Sequence, residues 1–173
     1  ADNDTEHLVI KLSTAELKID DVAMRSIVEQ SEGNLIKFNF DDVGTSRLNS
    51  KQKESVKEMD IRKGYEAYIT VNGVRVSDFK GGNVEIIVPY EMPKGHKASG
   101  FSVWYIDEDG TLEKQKSTYD GKKKCFVVSH FSDYVIAYDE NAADVANCPK
   151  DDTCPIWPFE DASCGEWYHD GVH

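Results

Sequence analysis

No run in these 173 residues approaches the ~20 consecutive apolar positions that a membrane-crossing helix requires. The opening Ala1-Asp2-Asn3-Asp4 has neither the basic start nor the apolar middle of an export signal. The expectation is no membrane insertion, and either a signal already removed or an internal fragment. Positive charge is also scarce: 20 Lys and Arg stand against 32 Asp and Glu, a net charge of −12. Such a chain is repelled at long range by phosphate backbones and anionic lipid, so nucleic acid is excluded as an expected partner. There is no serine in a nucleophile elbow, no glycine-rich phosphate loop and no His-Glu-x-x-His helix, which lowers the expectation of an ordinary enzyme. Internal repeats and low-complexity tracts are absent as well.

What is present is enough apolar material to fold. Hydrophobic residues make up 39% and aromatics 10% of the chain, too much for a disordered segment. A body of about 140 residues can bury roughly two-thirds of its unfolded surface without covalent staples. His7–Leu12 and Ala15–Ile19 read as short strands, the second alternating cleanly. The period then changes: Asp20 or Asp21 caps a helix over 20–32 with Val22, Ala23, Met24, Ile27 and Val28 on one face, and Gly33 supplies a left-handed stop. Leu35–Phe40 follows as a strand, and Asn49 with Gln52 three residues later forms a capping box that opens a short polar helix over 50–57. Tyr65–Asn72, Val74–Phe79, Val84–Pro89, Phe101–Ile106, Thr111–Thr118, Lys123–Ser129 and Tyr134–Tyr138 are short β-runs, with hairpin signals at Asn72-Gly73 and Asp109-Gly110. The predicted class is α+β, mostly β: an antiparallel sandwich-like body with one amphipathic helix and a short second one.

Charge and proline mark a boundary. Residues 141–173 carry 7 acids and 1 base, half of the net charge in about a fifth of the chain, and three of the five prolines. The expected division is a β-rich module over 1–140, a Pro- and Cys-containing linker over 141–158, and a further segment over 159–173.

Val84-Glu85-Ile86-Ile87-Val88-Pro89-Tyr90, the Trp104–Glu113 run with its Asp107-Glu108-Asp109-Gly110 turn, Tyr119-Asp120 and His130-Phe131-Ser132-Asp133-Tyr134-Val135-Ile136 resemble a domain of multidomain surface proteins in Gram-positive anaerobes. In the tail, Phe159-Glu160-Asp161, Trp167-Tyr168-His169-Asp170 and Gly171-Val172 resemble the opening of an S-layer homology domain, a module that docks proteins onto cell-wall polysaccharide. The second helix and Thr-Arg-Ala-Glu-like motif of that family have no counterpart in these residues. The resemblance implies an extracellular, wall-associated parent protein whose complete anchor binds cell-wall polysaccharide, with Asp161 and Trp167 belonging to that anchor. The β-rich body would then be a spacer or interaction module, monomeric and without a cofactor.

Several residues could carry chemistry. His130-Phe131-Ser132 resembles the self-cleavage site of ZU5-type domains, in which the serine hydroxyl attacks the preceding carbonyl while the histidine assists proton transfer, breaking Phe131–Ser132. That chemistry also requires a strained peptide and oxyanion donors. The structural alternative, which the sequence favours, has Phe131 filling the core at a strand junction. Asp107-Glu108-Asp109-Gly110 has part of a calcium loop but lacks its later bidentate glutamate, so a solvated hairpin turn explains it. Cys148, Cys154, Cys164 and His169 do not form the close ligand pairs of a zinc site; a disulfide between Cys148 and Cys154 is preferred, with free thiols the alternative, and no metal is expected. Phe101–Tyr105 suggests a carbohydrate platform, yet alternation puts Phe101, Val103 and Tyr105 on one face and Trp104 and Ile106 on the other, the pattern of a strand buried on both sides. His7, His96 and His173 read as surface residues. The reading is a non-catalytic module, with self-cleavage and carbohydrate binding as the two alternatives.

Overall fold

The structure, a computed structural model, describes residues 7–76 and 78–143. In chain order it contains β1 (Leu8–Lys11), β2 (Glu16–Ile19), α1 (Asp21–Ser31), β3 (Ile36–Asp42), α2 (Ser50–Val56), β4 (Asp60–Val71), β5 (Val74–Val76) and β6 (Val84–Pro89). A 3-10 turn over Ala98–Gly100 leads into β7 (Phe101–Ile106), followed by β8 (Leu112–Gln115), β9 (Ser117–Tyr119), β10 (Lys123–Val128), β11 (Asp133–Tyr138) and α3 (Glu140–Ala143). Two antiparallel sheets result, one in the order β1-β2-β6-β10-β9, the other in the order β3-β4-β11-β7-β8 with β5 paired to β4. They pack together as a mostly β sandwich, as the short alternating runs predict.

Alternation builds the core. Leu17, Ile19, Val84, Ile86, Val88, Phe126 and Val128 from the first sheet share one cluster with Tyr65, Ala67, Ile69, Val103, Tyr134 and Ile136 from the second. Each large apolar side chain so buried contributes about 1.5–3 kcal/mol. Both hairpin turns form as read. Asn72 and Gly73 take φ of 50° and 82°, the twist a two-residue hairpin loop needs between Val71 and Val74, and Gly110 takes φ 89° before β8.

The run Thr111–Thr118 does not form one strand. It divides at Lys116, where the chain leaves the second sheet after β8 and joins the first as β9, pairing with β10. No glycine or proline marks this crossing, so a continuous polar run concealed it. β4 begins five residues earlier than Tyr65, because β11 continues to pair with it back to Asp60.

α1 seals one end. The Asp20 carboxylate accepts from the Ala23 amide at 2.7 Å and from the Asn83 amide at 2.8 Å, capping the helix and tying it to the β6 approach. Ala23, Ser26 and Ile27 are buried, but Val22 and Val28 remain 43% and 52% exposed. The buried stripe is therefore narrower than the apolar face read from the sequence. Left-handed geometry begins at Glu32 (φ 48°) and continues through Gly33 (φ 81°), one residue sooner than expected.

Close approach of α1 explains Gly82, where an added Cβ would lie 2.2 Å from the Ala23 amide nitrogen. Gly82→Ala must push the helix outward. The expected loss is about 2 kcal/mol, read as a lower urea midpoint with an unchanged slope.

α2 lies on the outer face of the second sheet, where Leu48 and Val56 pack with Ile106 and Val135. Its capping box is present, with Asn49 Oδ1 accepting from the Gln52 amide at 3.0 Å and Gln52 Oε1 from the Asn49 amide at 2.8 Å. Gln52 Nε2 also donates to the Ile106 carbonyl at 3.2 Å, so the cap holds the helix to the sheet. Asn49→Ala should cost about 1 kcal/mol, measurable by thermal denaturation.

Candidate functional site

His130, Phe131 and Ser132 lie where the chain crosses from β10 to β11, between the two sheets. Phe131 is 3% exposed and meets Phe79 edge-on, ring centres 5.0 Å apart, so it serves as a core plug at the junction. The Tyr134 hydroxyl donates to the His130 carbonyl at 2.5 Å, and the Ser132 carbonyl accepts from the Ala67 amide at 2.9 Å. These bonds hold the backbone on both sides of Phe131.

The histidine and serine side chains take different partners. His130 Nδ1 lies 3.4 Å from Ser129 Oγ, and its ring stands edge-on to Tyr105 with centres 4.6 Å apart. The Ser132 side chain lies near enough to Tyr105 to bear on its phenol, and the Tyr105 hydroxyl donates to Asp107 Oδ1 at 3.0 Å. Burial, followed by the Asp107 bond, pushes the Tyr105 phenol up to about 12. Among the described residues no hydrogen bond joins His130 to Ser132, so the tripeptide meets at Tyr105 without forming a base–nucleophile pair.

The acidic hairpin satisfies itself. Asp107 Oδ1 accepts from the Glu108 amide and Asp109 Oδ1 from the Thr111 amide, each at 2.8 Å. The bonds from Thr111 hold the exposed Asp109 carboxyl below its ordinary range. Among the described residues, no group of three or more His, Cys, Asp or Glu side chains is arranged to hold a metal ion. Cys125 is disulfide-bonded. Cys148, Cys154, Cys164, Asp161, Trp167, His169 and His173 lie outside the described residues, as do nearly all of the expected linker and the whole of 159–173. No helix among the described residues is long and apolar enough to cross a membrane.

A cleft of about 760 Å³ opens on the outer face of the second sheet beyond the end of α2. Phe101 and Val103 face the sandwich core as alternation requires, which turns Ser102 and Trp104 toward this cleft. Trp104 is half-buried: it packs beside Met59 and Leu112 while its indole N–H donates to Ser102 Oγ at 2.9 Å. Across from it, Arg62 is held by Asp60 at 2.6 Å and donates to His96 Nε2 at 2.9 Å. His96 Nδ1 faces the Lys94 carbonyl at 3.3 Å, leaving Nε2 as the acceptor.

His96 is thus no isolated surface residue. Its ring stands 4.3 Å from that of Tyr138, and Arg62 lies over the same tyrosine at 5.8 Å. Arg62 Nε is buried without an acceptor, a guanidinium edge turned into protein with one donor unmet. The three side chains come from the start of β4, the loop before β7 and the end of β11. Separation in sequence hid the group; alternation along β7 was the only signal, and it pointed to Trp104 alone.

No family model matches the sequence, and no curated protein or solved structure is significantly similar to it.

Proposed function

We propose that this chain is a non-catalytic structural or interaction module of a bacterial cell-surface protein, leading into a cell-wall anchor. The observation that carries the reading is the junction at His130-Phe131-Ser132, where Phe131 fills the core and, among the described residues, no hydrogen bond joins His130 to Ser132. A serine poised for attack requires a base at its hydroxyl and donors at the carbonyl it attacks. A two-sheet body with a continuous core suits a rigid spacer, and the resemblance of the tail to an S-layer homology domain supplies the wall-bound setting.

Intact-mass measurement of the purified chain tests it. A single uncleaved species is expected. Two fragments meeting at Phe131–Ser132, absent from Ser132→Ala, would replace this reading with the self-cleaving one.

The cleft at Trp104 favours a second reading, carbohydrate binding, because it offers an aromatic surface beside fixed hydrogen-bonding groups. Glycan-array binding that Trp104→Ala removes would support it. A blank array across wall and host glycans leaves the spacer reading standing.

A further inference from the structure

A smaller pocket of about 340 Å³ lies at the edge of the sandwich where the chain crosses from β8 to β9. Its lining contains three lysines, Lys114, Lys116 and Lys124, with Ser99, Ser117 and the Phe101 backbone, and no carboxylate. In a chain of net charge −12 this is a local reversal of sign. Lys114 and Lys116 are exposed at the mouth, whereas Lys124 is only 1% exposed at the base.

Alternation puts Lys124 there. Val128 and Phe126 point into the core, and Lys124 is the next inward position along β10. Its ammonium donates to the Phe101 carbonyl at 2.9 Å and lies 5.7 Å from the centre of the Tyr119 ring. An ammonium has three donors, and among the described residues one hydrogen-bond acceptor, the Phe101 carbonyl, serves them. None of the three lysines forms an ion pair among the described residues. A buried cation without a counter-ion is costly, and a single bond to a backbone carbonyl does not offset that cost.

We propose that this pocket binds an anionic group, a carboxylate or a phosphoryl, which accepts from Lys124 at its base and is flanked by Lys114 and Lys116 at its mouth. Burial, with a smaller contribution from Lys114, pushes the Lys124 ammonium down to about 7, so an anion that restores its charge binds together with a proton. Tyr119 does not supply that charge, since its hydroxyl is committed to the Tyr90 carbonyl at 2.6 Å. The anion can arrive from solution or from the chain itself, because α3 packs against the 3-10 turn beside the pocket and residues 144–173 carry seven acids.

Titration of the full chain with inorganic phosphate at constant ionic strength, followed by NMR of isotopically labelled lysine side chains, tests the site. Expected are a saturable change in the Lys124 signal and an upward move of its titration midpoint by about one pH unit. In Lys124→Met the Lys114 and Lys116 signals should lose the saturable response, and a Lys114→Gln/Lys116→Gln double variant should weaken binding by roughly fivefold or more. If the chain's own carboxylates occupy the pocket, phosphate binds only after Asp144→Asn, Asp151→Asn and Asp152→Asn are introduced together. The absence of a Lys124 response in both backgrounds, or an unchanged response at Lys114 and Lys116 in Lys124→Met, overturns the proposal.

Discussion

Phe131→Ala is expected to lower the free energy of unfolding by about 3–5 kcal/mol, the range for removing an aromatic ring from a packed core. Phe131 meets Phe79 edge-on and closes the end of the sandwich where β10 passes to β11, so the cavity would open between two sheets that are each otherwise complete. Collapse is restricted, because Tyr134 holds the His130 carbonyl and Ala67 holds the Ser132 carbonyl. The loss should therefore fall toward the upper part of the range. Ser132→Ala leaves the Phe131 ring and the backbone bonds in place and should cost no more than about 1 kcal/mol. Chemical denaturation of the two variants gives the contrast directly. A tripeptide kept for packing shows the large effect at its phenylalanine, whereas one kept for cleavage shows its decisive effect at the serine, in the masses of the products.

The same contrast explains which parts of this structure were legible in the sequence. Asn49 and Gln52 satisfy each other across three residues, so the chemistry that starts α2 is local and readable. Asn72-Gly73 likewise sets its own backbone geometry. Alternation along β7 correctly divided Phe101 and Val103 from Trp104 and Ile106, because a pleated strand imposes a period of two whatever lies beyond it. The cleft and the lysine pocket are assembled differently. Arg62 and His96 are 34 residues apart and meet only because the loop before β7 packs against the start of β4. Nothing near either residue announces the other, and His96 read alone looks like surface. Lys124 lay within reach of the sequence, since Lys123–Ser129 reads as a strand and the inward positions Phe126 and Val128 continue to it, but the partners that surround its ammonium come from Phe101 and Tyr119, distant in the chain.

Lys124→Met is expected to stabilise the protein near pH 7 and to remove most of its pH dependence between about pH 7 and 10. The free lysine titrates near 10.5, and burial pushes Lys124 in the folded chain down to about 7. Between these values the unfolded chain holds a proton that the folded one has released, so wild-type stability rises with pH through the window and falls as pH drops toward 7. One proton corresponds to about 1.4 kcal/mol per pH unit, which over these three units makes the rise roughly 4 kcal/mol. Methionine keeps the length of the side chain and removes the buried charge, but it orphans the Phe101 carbonyl at a cost of about 1–3 kcal/mol. The net gain near pH 7 should be about 2 kcal/mol, or roughly 6 °C in Tm, shrinking to nothing or reversing by pH 10. Above pH 10 the trend turns in both proteins, because burial raises the phenols of Tyr65, Tyr119 and Tyr134 and the unfolded chain then loses protons that the folded chain retains. Thermal melts of the two proteins across this range separate a titrating buried lysine from a merely tolerated one: parallel curves would mean that Lys124 stays charged in the fold with its charge satisfied. A position where a neutral side chain gives a more stable protein is one where lysine serves something other than folding, and the anion pocket supplies that reason.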